Sequence, residues 1–138
     1  MRPIRPISPV RKETPVRTSH LIKQIERGLS FQQLEALRRT ADLPLEELAA
    51  KLSISHATLH RRKQERRLSP SESEKVLRFS RLFDQARRIF GDITAAREWL
   101  KFPQRGLGGA VPLDFARTEI GAREVEDLLG RLDYGVYS

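Results

Sequence analysis

The clearest hydrophobic pattern lies in residues 45–67, where apolar positions recur with the period of a helix. The first part of this segment carries apolar residues at spacings of three and four: Leu45, Leu48, Ala49 and Leu52. This spacing predicts a helix with one apolar face. A turn is predicted over residues 53–55, in which Ile54 fills the space between the two helices and the Ser55 hydroxyl caps the second.

The second predicted helix, from residue 56 to about residue 66, is unusually polar. Only Ala57 and Leu59 can face inward, while most of the other residues are polar or cationic. A helix of this composition faces water or a polyanion. Two helices joined by a short turn, the second of them basic, are typical of a helix-turn-helix, whose second helix lies in the DNA major groove. The alternative is a helical hairpin with a solvated charged face.

Apolar periodicity predicts helices over the rest of the chain as well. The predicted ranges are 19–27, about 30–42, about 70–90, 92–100, 112–116 and 122–132. Ser19 is expected to cap the first of these helices, and Ser30 and Gln33 have the spacing of a capping box at the second. Gly121 is expected to precede the last. The longest helix is expected to join the two halves of the protein through a broad apolar face, formed by Val76, Phe79, Leu82, Phe83, Ala86 and Phe90.

Residues 1–17 contain four prolines and five cationic residues. Proline favours extended backbone, so no helix is expected there. This leader is either an arm that contacts DNA or a segment without a specific role, and we favour the second because chain termini are usually loose. The prediction is an all-α fold with a basic leader at 1–18, a helix-turn-helix bundle at 19–68 and, continuous with it, a small helical domain with an extended tail at 69–138.

Charge is distributed unevenly along the chain. The 138 residues carry a net charge of +8 and have an isoelectric point of about 10.6, which favours a polyanionic partner. Residues 106–138 hold three arginines against six carboxylates, a net charge of −3 that leaves +11 for residues 1–105. One half is therefore suited to nucleic acid and the other to a different partner. There is no cysteine for a disulfide and no apolar segment for a membrane span or signal peptide, so we expect a cytoplasmic protein.

Residues that could support metal or phosphate binding do not form a known motif. His56 and His60 are four apart, but Ala57 stands where a zinc-protease motif has glutamate, and no acidic third ligand is near in sequence. The glycine-rich segment 106–110 lacks the lysine and hydroxyl of a phosphate-binding loop and is predicted to be a turn. Trp99 is expected in the core rather than as an exposed anchor for a partner. We predict no metal and no cofactor.

Enzymatic activity is not expected either. Nucleophilic catalysis needs a serine or cysteine with an oriented base, yet the serines of this chain lie at predicted helix caps. A metal-dependent nuclease would need carboxylates that meet at one site, whereas Asp84, Asp92 and Asp114 lie on separate predicted segments. These observations favour a protein that acts by binding.

A distinctive run of residues marks the C-terminal half. It comprises Trp99-Leu100, Leu107-Gly108-Gly109, Val111-Pro112-Leu113-Asp114, Thr118, Gly121, Val125 and Leu129-Gly130-Arg131-Leu132-Asp133-Tyr134-Gly135. With these residues the chain resembles the Xre antitoxins of bacterial RES–Xre toxin–antitoxin pairs, which share the Xre/MbcA/ParS-like toxin-binding domain. Together with the helix-turn-helix upstream, the resemblance covers about residues 29–138.

The resemblance implies an antitoxin that dimerises, binds its own operator and holds a RES-type toxin inactive within a larger hetero-oligomer. RES-type toxins degrade NAD, and the antitoxin's C-terminal region covers the toxin's active-site cleft. The implied toxin-contacting residues are Leu129, Gly130, Arg131, Leu132, Asp133, Tyr134, Gly135, Val136, Tyr137 and Ser138. We expect Tyr134 and Tyr137 to pack in that cleft, while the Ser138 carboxylate meets a cation that would otherwise hold substrate.

The predicted DNA-contacting residues follow from the register of the second helix: Ser55, His56, Ala57, Thr58, His60, Arg61, Arg62, Lys63 and Gln64. Arg61 and Gln64 are the best candidates for base contacts, to guanine and adenine respectively. Phosphate contacts are expected from Thr58, Arg62, Lys63, Arg66 and Arg67. The alternative function is a stand-alone transcriptional regulator whose C-terminal half dimerises or senses a ligand.

Overall fold

The computed structural model describes residues 15–133, with side chains from Arg17 onward. Eight α-helices lie in this part of the chain: α1 (Pro15–Arg27), α2 (Phe31–Ala41), α3 (Leu45–Lys51), α4 (His56–Glu65), α5 (Pro70–Phe90), α6 (Ile93–Lys101), α7 (Pro112–Phe115) and α8 (Glu119–Asp133). A short 3₁₀ turn, Arg105–Leu107, lies between α6 and α7. Because no strand occurs between residues 15 and 133, the predicted all-α fold is confirmed.

Helix α5 is the central element of the core. Its apolar face packs against α1, α2, α6 and α8, and Phe79, Leu82 and Phe83 on that face are almost completely buried. The buried residues of both halves form one continuous hydrophobic cluster. The prediction that this helix joins the two halves is therefore confirmed.

Polar contacts add to this join. Arg97 and Lys101 on α6 donate to backbone carbonyls at the end of α2, at 2.8 and 2.9 Å. Cations are favourable there because the C-terminus of a helix carries partial negative charge. An ion pair of 2.8 Å between Lys51 Nζ and Asp114 Oδ1 links α3 to α7. The C-terminal half thus contacts the ends of α2 and α3, the two helices that precede the turn of the helix-turn-helix.

Two helix starts differ from the prediction. Helix α1 begins at Pro15, not at Ser19, because proline fits the first helical position, where no intrahelical partner exists for a backbone N–H. The predicted capping box at Ser30 is also wrong, since that side chain makes no cap hydrogen bond. A capping box occurs instead at the start of α5, where Ser69 and Glu72 bond reciprocally. The remainder of the predicted leader, residues 1–14, lies outside the described residues.

Helix α8 begins earlier than predicted and includes Gly121 in its first turn. The Gly121 N–H donates to Thr118 Oγ1 at 3.1 Å. A β-carbon at position 121 would lie only 1.7 Å from the carbonyl oxygen of Phe115. Glycine is therefore needed because α8 approaches the end of α7 too closely for any side chain.

None of the helices between residues 15 and 133 is long and apolar enough to cross a membrane. The longest, α5, has 21 residues and includes charged side chains throughout its length.

Two glycines of α8 provide a matched stability test. Gly121→Ala is expected to lower the free energy of unfolding by at least about 2 kcal/mol, because its new methyl group meets a backbone oxygen that cannot move cheaply. Gly130→Ala, where a β-carbon would meet nothing within 4 Å, is expected to raise it by about 0.5 to 1 kcal/mol. Denaturant unfolding measures both values. An unchanged midpoint for Gly121→Ala would contradict the close approach of α7 and α8.

Candidate functional site

The turn between α3 and α4 is formed by backbone hydrogen bonds. Ser53 N–H donates to Ala50 O at 3.0 Å and Ile54 N–H to Ala49 O at 2.8 Å, while Ser53 adopts a left-handed φ of 62°. These bonds form a Schellman motif, which ends a helix with a defined change of direction. Ile54 is buried as predicted, so the turn is anchored to the core.

Helix α4 starts at the predicted cap. Ser55 Oγ accepts a hydrogen bond from the Thr58 N–H at 3.1 Å and lies 3.0 Å from Thr58 Oγ1. This arrangement satisfies one of the free backbone donors of the first turn. The Ser55 and Thr58 side chains are thus already engaged with each other at the tip of α4.

The outward face of α4 is polar and exposed. Leu59 is the buried residue of this helix, and the residues opposite it lie three or four positions apart, so they share one face. We define this outward face as Ala57, His60, Arg61 and Gln64, all of which are exposed. Of the two residues that could face inward, Leu59 does so and Ala57 does not. Gln64 Nε2 lies 3.5 Å from His60 Nε2.

The other predicted DNA-contacting side chains fall into two groups. His56 and Lys63 are exposed beside the outward face. Arg67, by contrast, donates through Nη1 to the carbonyl oxygens of Arg27 and Gly28, at 3.1 and 2.8 Å. Arg67 thus fastens the loop after α1 to the loop after α4 through one nitrogen of its guanidinium. Within residues 15–133, no three potential metal ligands gather near His56 or elsewhere.

Arg62 also lies away from the outward face. Its Nε donates to Glu72 Oε1 at 2.7 Å and its Nη1 to Glu65 Oε1 at 3.1 Å. The side chain is only 19% exposed and that of Glu72 only 11%. Because the two positions are ten residues apart on different helices, no local sequence pattern indicates this pair.

The ion pair shifts the pKa values of both of its partners. Burial alone raises the pKa of Glu72, but the hydrogen bonds from Arg62 and the Ser69 N–H, with the attraction of the guanidinium, outweigh it and lower that pKa below its ordinary value. The hydrogen bond to Glu72 likewise raises the pKa of Arg62, against the opposing effect of burial. Both groups are therefore charged at neutral pH.

The C-terminal candidate segment is only partly described. Leu129 is fully buried in the core, so it supports this segment from inside and is not available to a partner, contrary to the expectation. Arg131 and Asp133 are exposed and Leu132 is half-buried. The remaining predicted toxin contacts, residues 134–138, lie outside the described residues.

An apolar groove adjoins this segment. Trp99, Leu128 and Leu132 line it together with the 104–106 loop, and its volume is about 310 Å³. Trp99 is half-buried and its ring centroid lies 6.0 Å from that of Phe90, so the tryptophan both packs on the core and faces the groove. Leu128 was not predicted to line a groove, because its position in the helix indicated only core packing.

Two family models match the chain and together cover most of it. Residues 20–81 match the antitoxin Xre-like helix-turn-helix domain. Residues 85–135 match the antitoxin Xre/MbcA/ParS C-terminal toxin-binding domain. The boundary between the two matches lies within α5, the helix that joins the two halves.

Three relatives carry the name Antitoxin Xre. One from Yersinia enterocolitica is 38% identical over 120 residues, which cover 86% of this chain and 81% of that protein. One from Photorhabdus laumondii is 40% identical over 73 residues, covering 52% and 49%. One from Pseudomonas putida is 25% identical over 115 residues, covering 83% and 64%.

The lowered pKa of Glu72 predicts a pH-dependent contribution to stability. At pH 7 we expect the free energy of unfolding of the wild type to be about 1 to 2 kcal/mol higher than that of Glu72→Gln. A carboxylate with a lowered folded-state pKa stabilises above its unfolded pKa of about 4.3, and the contribution is lost as pH falls through the folded value. The difference should therefore shrink below about pH 4. Denaturant titrations at several pH values measure this difference.

The matched control for that titration is Glu65→Gln, which alters the second partner of Arg62. The Glu65 side chain is 50% exposed, so its loss should cost less than about 0.5 kcal/mol at any pH. A difference between wild type and Glu72→Gln that stays constant from pH 7 to pH 3 would contradict the assignment of the shift to Glu72.

Proposed function

This chain belongs to the Xre antitoxin family, and from that premise we propose that it neutralises a RES-type toxin that degrades NAD and represses its own operon. Its helix-turn-helix and toxin-binding domains correspond to the two tasks. We propose that it does both by binding alone, in the cytoplasm, without catalysis and without a cofactor.

The outward face of α4 supports operator recognition. Exposed Arg61 can donate two hydrogen bonds to guanine, and exposed Gln64 can pair with adenine in the major groove. Ser55, His56, Thr58 and Lys63 lie nearer the helix start or its flank, where they are suited to phosphates and base edges. If the antitoxin binds as a homodimer, its two half-sites should be about 34 Å or a multiple of that apart.

The end of α8 supports toxin neutralisation. Helix α8 is fixed to the core through Leu129 and Val125, so the position of its last turn is defined. We propose that Gly130 to Asp133, and then Tyr134, Gly135, Val136, Tyr137 and Ser138, contact the toxin, with the two tyrosines in its NAD-binding cleft. Tyrosine is enriched among the residues that contribute most to the binding energy of protein interfaces.

The single observation that carries the proposal is the division of the chain into two matched domains joined by α5. A polar helix with an exposed cationic face belongs to the first domain, and the acidic helix α8 belongs to the second. The alternative, a stand-alone regulator, would use the first domain in the same way but give residues 133–138 no toxin to bind.

Truncation separates the two functions. A chain that ends at Leu132 should fail to rescue growth of cells that express the toxin encoded by the adjacent gene, because it lacks the segment proposed to fill the cleft. The same chain should still shift its operator DNA, because α4 is distant in sequence and its packing is unchanged. Growth assays and electrophoretic mobility shifts measure the two outcomes.

A full-length Glu124→Ala variant is the matched control, since Glu124 is an exposed carboxylate on α8 outside the proposed segment. It should rescue growth as wild type does. Full rescue by the truncated chain would favour the stand-alone regulator, or a toxin contact made elsewhere on the domain.

A further inference from the structure

We propose that Arg62 and Glu72 are a positioning pair for DNA recognition, which holds α4 against the first turn of α5 so that its outward face meets the bases as a unit. The inference rests on the proposed DNA-binding function. It departs from the expectation that Arg62 contacts a phosphate, because in this role neither residue touches DNA.

Helix α4 is otherwise held mainly at its two ends. Leu59 is its buried residue, and the cap at Ser55 organises only the first turn. At the other end, the Phe31 N–H donates to the Arg66 carbonyl at 3.0 Å. These contacts, together with the hydrogen bonds of Arg67 to the loop after α1, hold the two ends of α4. Between those ends a single side chain is buried, so few contacts fix the rotation of the middle of the helix about its own axis.

The ion pair supplies the missing restraint in the middle of α4. Glu72 Oε1 accepts from Arg62 Nε at 2.7 Å and also from the Ser69 N–H at 2.8 Å. One carboxylate oxygen thus joins α4 to the N-cap of α5. A planar guanidinium that donates to two carboxylates accepts only a narrow range of orientations, so the pair fixes rotation as well as distance.

A phosphate contact would require Arg62 to leave this arrangement. Its departure would leave Glu72, whose side chain is 11% exposed, as a mostly buried carboxylate without its cation. Breaking a charged hydrogen bond at a buried acceptor costs the desolvation of the group left behind. Arg61 and Lys63 are exposed and can meet DNA without that cost.

The two roles predict opposite results when the charge of Glu72 is removed. Glu72→Gln keeps an acceptor for the capping box but ends the ionic attraction that holds Arg62. If Arg62 binds phosphate, losing a carboxylate near DNA leaves operator affinity unchanged or raises it. If the pair positions α4, the same substitution lowers operator affinity.

The test compares the full-length chain with Arg62→Met and Glu72→Gln, and with Lys63→Ala as the matched control. The probes are a duplex from the promoter of this chain's own gene and an unrelated duplex of equal length, each at several salt concentrations. Both pair variants should lower the ratio of operator affinity to unrelated affinity about tenfold while keeping the wild-type salt slope. Lys63→Ala should lower both affinities and reduce the slope by about 1, as loss of a phosphate contact does.

The proposal is overturned if Arg62→Met reduces the salt slope by about 1 while Glu72→Gln binds as tightly as wild type or more tightly. Unchanged ratios for both variants overturn it equally. If wild type itself does not distinguish the two duplexes, the proposed function fails and the inference fails with it.

If Arg62→Met does not fold, as judged by thermal unfolding, Arg62→Lys replaces it, since lysine keeps the charge but not the planar fork. A lower ratio then supports the pair, and wild-type behaviour overturns it.

Discussion

Burial of the apolar face of α5 is the constraint on which the other elements depend. Helices α1, α2, α6 and α8 all pack against this helix, and each lacks enough apolar surface to be stable alone in water. A Ser69–Glu72 capping box starts α5 and Gly91 in a left-handed conformation ends it. Local hydrogen bonds and backbone conformation therefore define both ends of α5.

The helices that carry the two proposed binding sites are held by different parts of α5. The first turn of α5 holds α4 through Glu72, whereas Gln85 and Arg81 hold α8 further along, through Glu126. The part of α5 from Glu72 to Gln85 spans roughly 20 Å. Helices α4 and α8 thus contact separate parts of the same helix.

Local sequence signals predicted the elements that depend on neighbouring residues. The cap at Ser55 and the buried positions of Ile54 and Leu59 follow from spacing within one segment, and the structure has them as predicted. The start of α1 was missed because the same residue, Pro15, both disfavours a helix interior and suits a helix start.

Contacts between distant segments could not be predicted in this way. Arg62 has the composition of a phosphate contact, and only the fold brings Glu72 next to it. Gly121 has the sequence signature of a helix boundary, yet its role is to admit the carbonyl of Phe115. Leu129 belongs to the motif on which the family resemblance rests, but its position on α8 places its side chain in the core. In each case the deciding partner lies on another element.

The most direct measurement is the rate of NAD loss in a reaction with the purified product of the adjacent gene. We expect that protein alone to consume NAD and the full-length chain to stop this loss at near-equimolar concentration, because we propose that the residues after α8 cover the NAD-binding cleft. NAD consumption that continues within the purified complex would contradict this mechanism of neutralisation. An adjacent gene product that does not consume NAD would show that the partner is not a RES-type toxin.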